Sequence, residues 1–261
     1  MSETSLDKRP EALSKNDLNT AGADKRNKAQ SHPVPQIPSM CPLLVVILAM
    51  GTLNFIIHLV VLPQMPDMLP THWGIDGTAD DYTSKYEELW LCLVPFLSVL
   101  MLFVPRFDPK GEAYTKVWRF FQVLLLVLTL FFCAMTWLPE LSVIGIIPQD
   151  DNLMGAVILL MVGLLLIFVG NYIPRVRQNY SMGIKTPWAL ADEYTWQRSQ
   201  RMGGICFVAM GVVYMLTGAI SLFIPALRGS DIPFIILMVV LFAGILWMYV
   251  YSYLVYRGIM R

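Results

Sequence analysis

The sequence predicts an all-α integral membrane protein with six transmembrane helices, and three observations lead there. Of the 261 residues 56% are hydrophobic and only 15% charged, where a soluble domain keeps about a quarter of its residues charged. The charges crowd into the first forty residues and a few short loops. Between them lie apolar runs that meet or approach the ~20 residues a helix needs to cross a hydrocarbon core about 30 Å thick. Mean hydropathy is correspondingly high, at +0.57. Helices are expected rather than a barrel, because runs such as LLLVLTLFF and LLMVGLLLIFV do not alternate, and lipid offers backbone groups no partner outside the chain.

The first forty residues are polar, with six Lys/Arg, five Asp/Glu and no aromatic side chain. They read as a disordered cytoplasmic tail, unable to bury enough apolar surface to offset chain entropy, and not as a secretory signal. The first span comes at 42–62, with Pro42 in its first turn. The second, 89–104, is short; it is expected to extend back towards Lys85 and to kink at Pro95. The third covers 117–137 and the fourth 154–173, stopped by Pro174. The fifth covers 202–224 and the sixth 232–253. Gly204, Gly211 and Gly218 recur every seven residues in the fifth span, a stripe suited to close helix packing.

Positive residues set the orientation. Seventeen Lys/Arg fall in the tail, the loops after spans two and four, and the C-terminus, against two, Lys85 and Arg228, in the opposite loops. Both termini are therefore expected in the cytoplasm. The net charge is zero, so nothing in bulk charge points to nucleic acid. Cys41, Cys92, Cys133 and Cys206 fall at or inside apolar segments and read as small hydrophobes rather than a disulfide or zinc framework.

Two loops and one intramembrane pair carry the candidate chemistry. The outer loop, 63–88, holds three prolines, an Asp76-Gly77 turn dipeptide, and Gly74 and Gly77 for tight turns. Asp81 or Thr83 is placed to cap the second span. His72 with Asp76, Asp80 and Asp81 reads either as a cation site or as a folded cap with Trp73 at the interface. The spacing matches no zinc motif. The inner loop, 171–204, offers Thr186-Pro187 as an N-cap with Pro at the first helical position and Asp192 as a further cap. Trp188, Tyr194 and Trp196 interleaved with Arg198 and Arg201 describe an amphipathic segment on the inner leaflet, or a partner-docking surface. In the first span Asn54 and His58 share a face about a turn below the outer surface, as an interhelical hydrogen bond or a titrating site. No nucleophile with its base and no metal cluster is visible, so neither an enzyme nor a cofactor is expected.

Together the two loops resemble the SdpI-like membrane proteins, a bacterial toxin-immunity family. The outer motif is similar to the DUF1648 module: Leu69-Pro70-Thr71-His72-Trp73-Gly74, then Gly77, Asp80 or Asp81, Tyr82 and Lys85, with Asp108-Pro109 after the second span. The inner motif is similar to the SdpI signature: Asn179, Gly183-Ile184-Lys185-Thr186-Pro187-Trp188, Trp196, Arg201 and Gly204. Lys185 stands where the family commonly has Arg, and Ser199-Gln200 where it commonly has Thr-His. The resemblance divides the chain into a module at 41–135 and another at 136–261. It implies a multi-pass plasma-membrane protein that protects its host from a secreted peptide toxin and holds a small transcriptional repressor at its inner face. The implied outer site is Pro70, His72, Trp73, Asp80, Asp81 and Lys85; the inner one is Asn179, Gly183, Lys185, Thr186, Pro187, Trp188, Trp196 and Arg201. A small transporter or channel for an ion or amphiphile, working through Asn54 and His58, is the competing reading.

Overall fold

The computed structural model describes residues 39–148 and 152–260; the polar tail read at 1–40 lies, but for Ser39 and Met40, outside them. Among the described residues, six helical spans are long and apolar enough to cross a membrane: Cys41–Gln64, Lys85–Phe107, Trp118–Val143, Leu153–Arg175, Glu193–Phe223 and Ile232–Tyr256. In chain order these are the first to sixth spans.

Prolines shape the second and third. Pro95 can donate no backbone hydrogen bond, and the chain around it, Leu91–Phe96, winds as a 3-10 helix between the α-turns Lys85–Glu88 and Leu97–Phe107. In the third span Pro139 instead opens a new helix: the span runs as Trp118–Thr136, pauses at Trp137, and resumes as the short helix Leu138–Val143. That pause turns Thr136, Trp137 and Glu140 towards the first span.

The first three spans pack mainly on one another, and so do the last three. In the second group the glycine stripe works as expected. A β-carbon on Gly211 would sit 2.6 Å from the Gly163 carbonyl oxygen, and one on Gly204 2.7 Å from that of Gly170. The backbones of spans four and five therefore meet where only hydrogen fits. The fifth span is longer than its apolar run: it starts at Glu193, nine residues before the expected boundary, because Asp192 accepts from Thr195 N at 2.8 Å and caps it there.

The fold is not purely helical. The outer loop contains a two-stranded antiparallel hairpin, β1 (Met68–Trp73) and β2 (Ala79–Ser84), with an irregular register around His72. Pro70 lies in β1, an edge strand where the missing N–H costs no ladder bond. Its turn is built by Asp76, whose carboxylate accepts from Thr78 N at 3.0 Å and Thr78 Oγ1 at 2.8 Å, and by Gly77 at φ +81°. Gly74, expected to share that role, does not have a positive φ. The cap of the second span is Ser84, not Asp81 or Thr83: its hydroxyl accepts from Tyr86 N. Asp81 instead bonds Tyr82 N, and Thr83 bonds Thr71 across the hairpin. Trp73 packs with Leu138, Ile147 and Met154, so the hairpin docks on protein.

The segment between spans four and five contains one short helix, Pro187–Ala191, begun by Thr186 accepting from Ala189 N at 3.0 Å. It is not a long surface helix. Residues 176–186 are folded back and held by side chains.

Candidate functional site

Polar side chains gather in three places, and the first lies inside the bundle near the hairpin end. Asn54 and His58, one turn apart on the first span, are both buried, at 6% and 2% exposure. His58 Nδ1 lies 2.6 Å from Glu140 Oε1. The ring stacks on Trp137 with centroids 4.1 Å apart. Asn54 donates to Thr136 Oγ1 at 3.2 Å and accepts from Trp137 Nε1 at 2.9 Å. Thr136 spends its own hydrogen on Cys133 O at 2.8 Å. Its oxygen is then an acceptor towards His58 Nε2 at 3.3 Å, so Nε2 donates while Nδ1 faces the Glu140 carboxyl. Glu88, buried at the start of the second span, brings its carboxyl against that of Glu140. Glu88 Oε1 and Glu140 Oε2 have no donor among the described residues. The sequence reading found Asn54 and His58 but missed Glu88 and Glu140. Glu88 sits among charged neighbours that read as loop, and Glu140 comes just after a proline beyond the expected end of the third span. One signal was available: a carboxylate adjoining an apolar span needs a partner.

The second site is the face of the hairpin. His72 Nδ1 lies 2.5 Å from Asp80 Oδ1, both groups exposed. Together with Trp73, Asp76, Asp231 and Phe234 they border an open groove of about 570 Å³. Thr78 pulls the Asp76 carboxyl below its ordinary range through its hydroxyl and its backbone N–H. Of the other expected outer residues, Asp81 is exposed on β2. Lys85 turns inward, donating to Met65 O at 3.0 Å and pairing with Asp67 at 3.1 Å. Pro70 is buried in β1. The groove therefore brings together His72, Trp73 and Asp80, while Pro70 and Lys85 support the hairpin. Among the described residues no group of three His, Cys, Asp or Glu could hold a metal ion.

The third site is at the opposite end, where the expected inner residues divide into two kinds. Asn179 Oδ1 accepts from Ser181 N, Met182 N and Tyr114 Oη, at 2.6 to 3.2 Å. Asp108 Oδ2 accepts from Tyr114 Oη, Tyr180 N and Ser181 Oγ at 3.0 to 3.1 Å. These two residues tie the loop after the second span to the loop after the fourth. Burial pushes the shared Tyr114 phenol above its ordinary range. Gln200 accepts from Ile184 N at 2.9 Å and donates to Ile184 O at 3.0 Å. Gly183, at φ +96°, has no room for a β-carbon against Gln200. Trp196, fully buried, donates Nε1 to Val176 O at 2.9 Å. Thr186 bonds Ser252 on the sixth span. Pro187 opens the short helix and turns Trp188 onto Tyr249 and Tyr253. Asn179, Gly183, Thr186, Trp196 and Gln200 thus build the loop, whereas Lys185 and Arg201 are exposed. Arg201 borders a basic cavity of about 950 Å³ with Lys116, Arg119, Arg175 and Arg177.

With this geometry in place, two family models match the chain. The SdpI/YfhL protein family covers residues 175–252, and a domain of unknown function, DUF1648, covers residues 49–98. A relative, the immunity protein SdpI of Bacillus subtilis (strain 168), is 25% identical over 165 residues, covering 62% of this chain and 74% of its own. No solved structure matches. The first match spans the loop that Asn179, Gly183 and Gln200 hold; the second spans the hairpin.

Proposed function

The chain is an SdpI-like multi-pass membrane protein, and from that premise we propose that it is an immunity protein acting against a secreted peptide toxin. The carrying observation is the 165-residue similarity to an immunity protein. The polar groove between His72, Asp80 and Asp231, with Trp73 and Phe234 beside it, supports the same reading. Peptide recognition favours a few fixed charges next to aromatic surface. Orientation from the positive residues puts this groove outside, where such a peptide arrives. The exposed Lys185 and Arg201, at the end opposite the groove, supply charge for contact with a small cytoplasmic repressor. Survival of a sensitive bacterial host, with and without this protein, across a panel of secreted antimicrobial peptides tests the proposal. Protection lost in Trp73→Ala and Asp80→Ala at unchanged membrane expression supports it; no protection against any peptide overturns it.

One observation favours a second reading, movement of protons or small cations. Two carboxyls and an imidazole lie buried together between apolar spans, and such groups commonly mark an ion path. Proton flux in proteoliposomes that vanishes in Glu140→Gln and His58→Ala would support this reading, and flux unaffected by both would sink it.

A further inference from the structure

Beside the outer groove, and sharing Trp73, Gly74, Ile75 and Phe234 with it, lies a narrower slot of about 210 Å³. Its roof is the hairpin tip, which docks so closely on the start of the fourth span that a β-carbon at Gly77 would meet Asn152 O at 3.0 Å. The walls come from the ends of spans four, five and six and from the short helix Pro225–Arg228 between the last two: Gly155, Leu159, Ser221, Arg228 and Phe234 all line it. The lining is mostly apolar, yet two hydrogen-bonding atoms in it are buried and unused. Ser221 is 1% exposed, and its hydroxyl has no partner among the described residues; neither has Arg228 Nε. An orphaned hydroxyl and guanidinium N–H inside an apolar pocket are costly unless a ligand bonds them. Gly155 adds to the case: a β-carbon there meets nothing within 4 Å, so the slot is open at its helix wall.

Both unused groups can donate, and one is a cation, so the ligand carries an acceptor with negative charge. The planar guanidinium fits a carboxylate. Size limits the rest. A pocket for a whole small molecule is ~300–1,000 Å³, so this slot takes about one amino-acid side chain with its terminal group. The remainder of a longer ligand must lie in the groove bordered by His72, Asp76, Asp80 and Asp231. Three carboxylates, from Asp76, Asp80 and Asp231, border that groove, which suits a peptide backbone with basic side chains.

We propose that the slot binds the C-terminal residue of a peptide, its free carboxylate on Arg228 and Ser221 and its apolar side chain among Gly155, Leu159, Trp73 and Phe234. This deepens the immunity reading and rests on it for the source of the peptide; the carboxylate chemistry rests on the slot alone.

The test uses the full chain in nanodiscs with three probes: N-acetylphenylalanine, its C-terminal amide, and laurate. The acid should bind at least ten-fold more tightly than the amide. Arg228→Gln should abolish that preference, and Gly155→Leu, which fills the slot from a helical position that favours leucine, should block binding of the acid. Equal binding of acid and amide by the wild-type protein overturns the proposal whatever the variants do. So does displacement by laurate alone, which would make the occupant a lipid. The same variants are carried into the survival assay. Protection with no carboxylate binding removes the slot and leaves immunity; carboxylate binding with no protection against any peptide removes immunity and leaves the slot.

Discussion

His58 Nδ1 lies 2.6 Å from Glu140 Oε1, with side chains only 1% and 4% exposed, so a short buried hydrogen bond joins the first span to the end of the third. Removing one partner of a buried hydrogen bond leaves the other unsatisfied, at a cost of about 1–3 kcal/mol. Glu140→Ala should therefore lower the Tm of the purified protein far more than Glu140→Gln, which still accepts from Nδ1. The double variant His58→Ala/Glu140→Ala should recover part of that loss. Strictly additive single effects in the double-mutant cycle would mean that the two residues are not coupled.

Asp108 gathers Tyr114, Tyr180 and Ser181 on one carboxylate oxygen, with Lys110 N on the other at 2.8 Å. Each hydrogen bond to a charged group contributes about 1.5–3 kcal/mol. Asp108→Ala should free the loop that Asn179 organises, and trypsin should then cleave at Lys110 or Arg177 in protein whose spans remain folded. A digestion pattern identical to the wild type would contradict this account of the loop.

The contact between spans four and five tolerates nothing larger than hydrogen at Gly204 and Gly211, where the nearest atoms include backbone carbonyl oxygens. Overpacking at such places costs about 1–3 kcal/mol. Gly211→Ala should destabilise by that order in thermal unfolding, whereas Gly155→Ala, with open space around it, should be neutral. Similar effects at both positions would argue against a close-packed stripe.

At the hairpin tip Thr78 holds the Asp76 carboxyl below its ordinary range. A carboxyl lowered on folding adds stability above its unfolded value, near 3.8, and loses it as pH falls through the lower folded value. The Thr78 amide resonance should accordingly stay unchanged from neutral pH down into the ordinary carboxylate range and shift only below it. Asp76→Asn should remove that transition, and a wild-type midpoint at or above the ordinary value would refute the turn geometry.

Much of this was legible in the residues. The spans, the helix break around Pro95, the caps at Thr186 and Asp192 and the glycine stripe each depend on neighbours within a few positions, and local sequence shows them. The hairpin was not legible. Ala-Asp-Asp-Tyr-Thr-Ser has no alternating apolar face, and its pairing with Met68–Trp73 is stabilised by docking on Leu138 and Met154 rather than by strand propensity. Asn179, Gly183 and Trp196 stood out as motif residues, but whether they face a partner or the loop itself depends on Asp108, Gln200 and Val176, distant in sequence.

What the sequence determined alone is therefore what lipid and the local backbone enforce: six apolar lengths, their breaks and caps, and a sided distribution of charge. Tertiary structure decided which polar groups meet. His58 acquired Glu140 across 82 positions, Glu88 came to face Glu140, and Ser221 and Arg228 were left together under the hairpin, with the Ser221 hydroxyl and Arg228 Nε unpartnered among the described residues. Burial of a polar group costs several kcal/mol unless it finds a partner, and that partner comes from whichever span packs opposite, which no local pattern specifies.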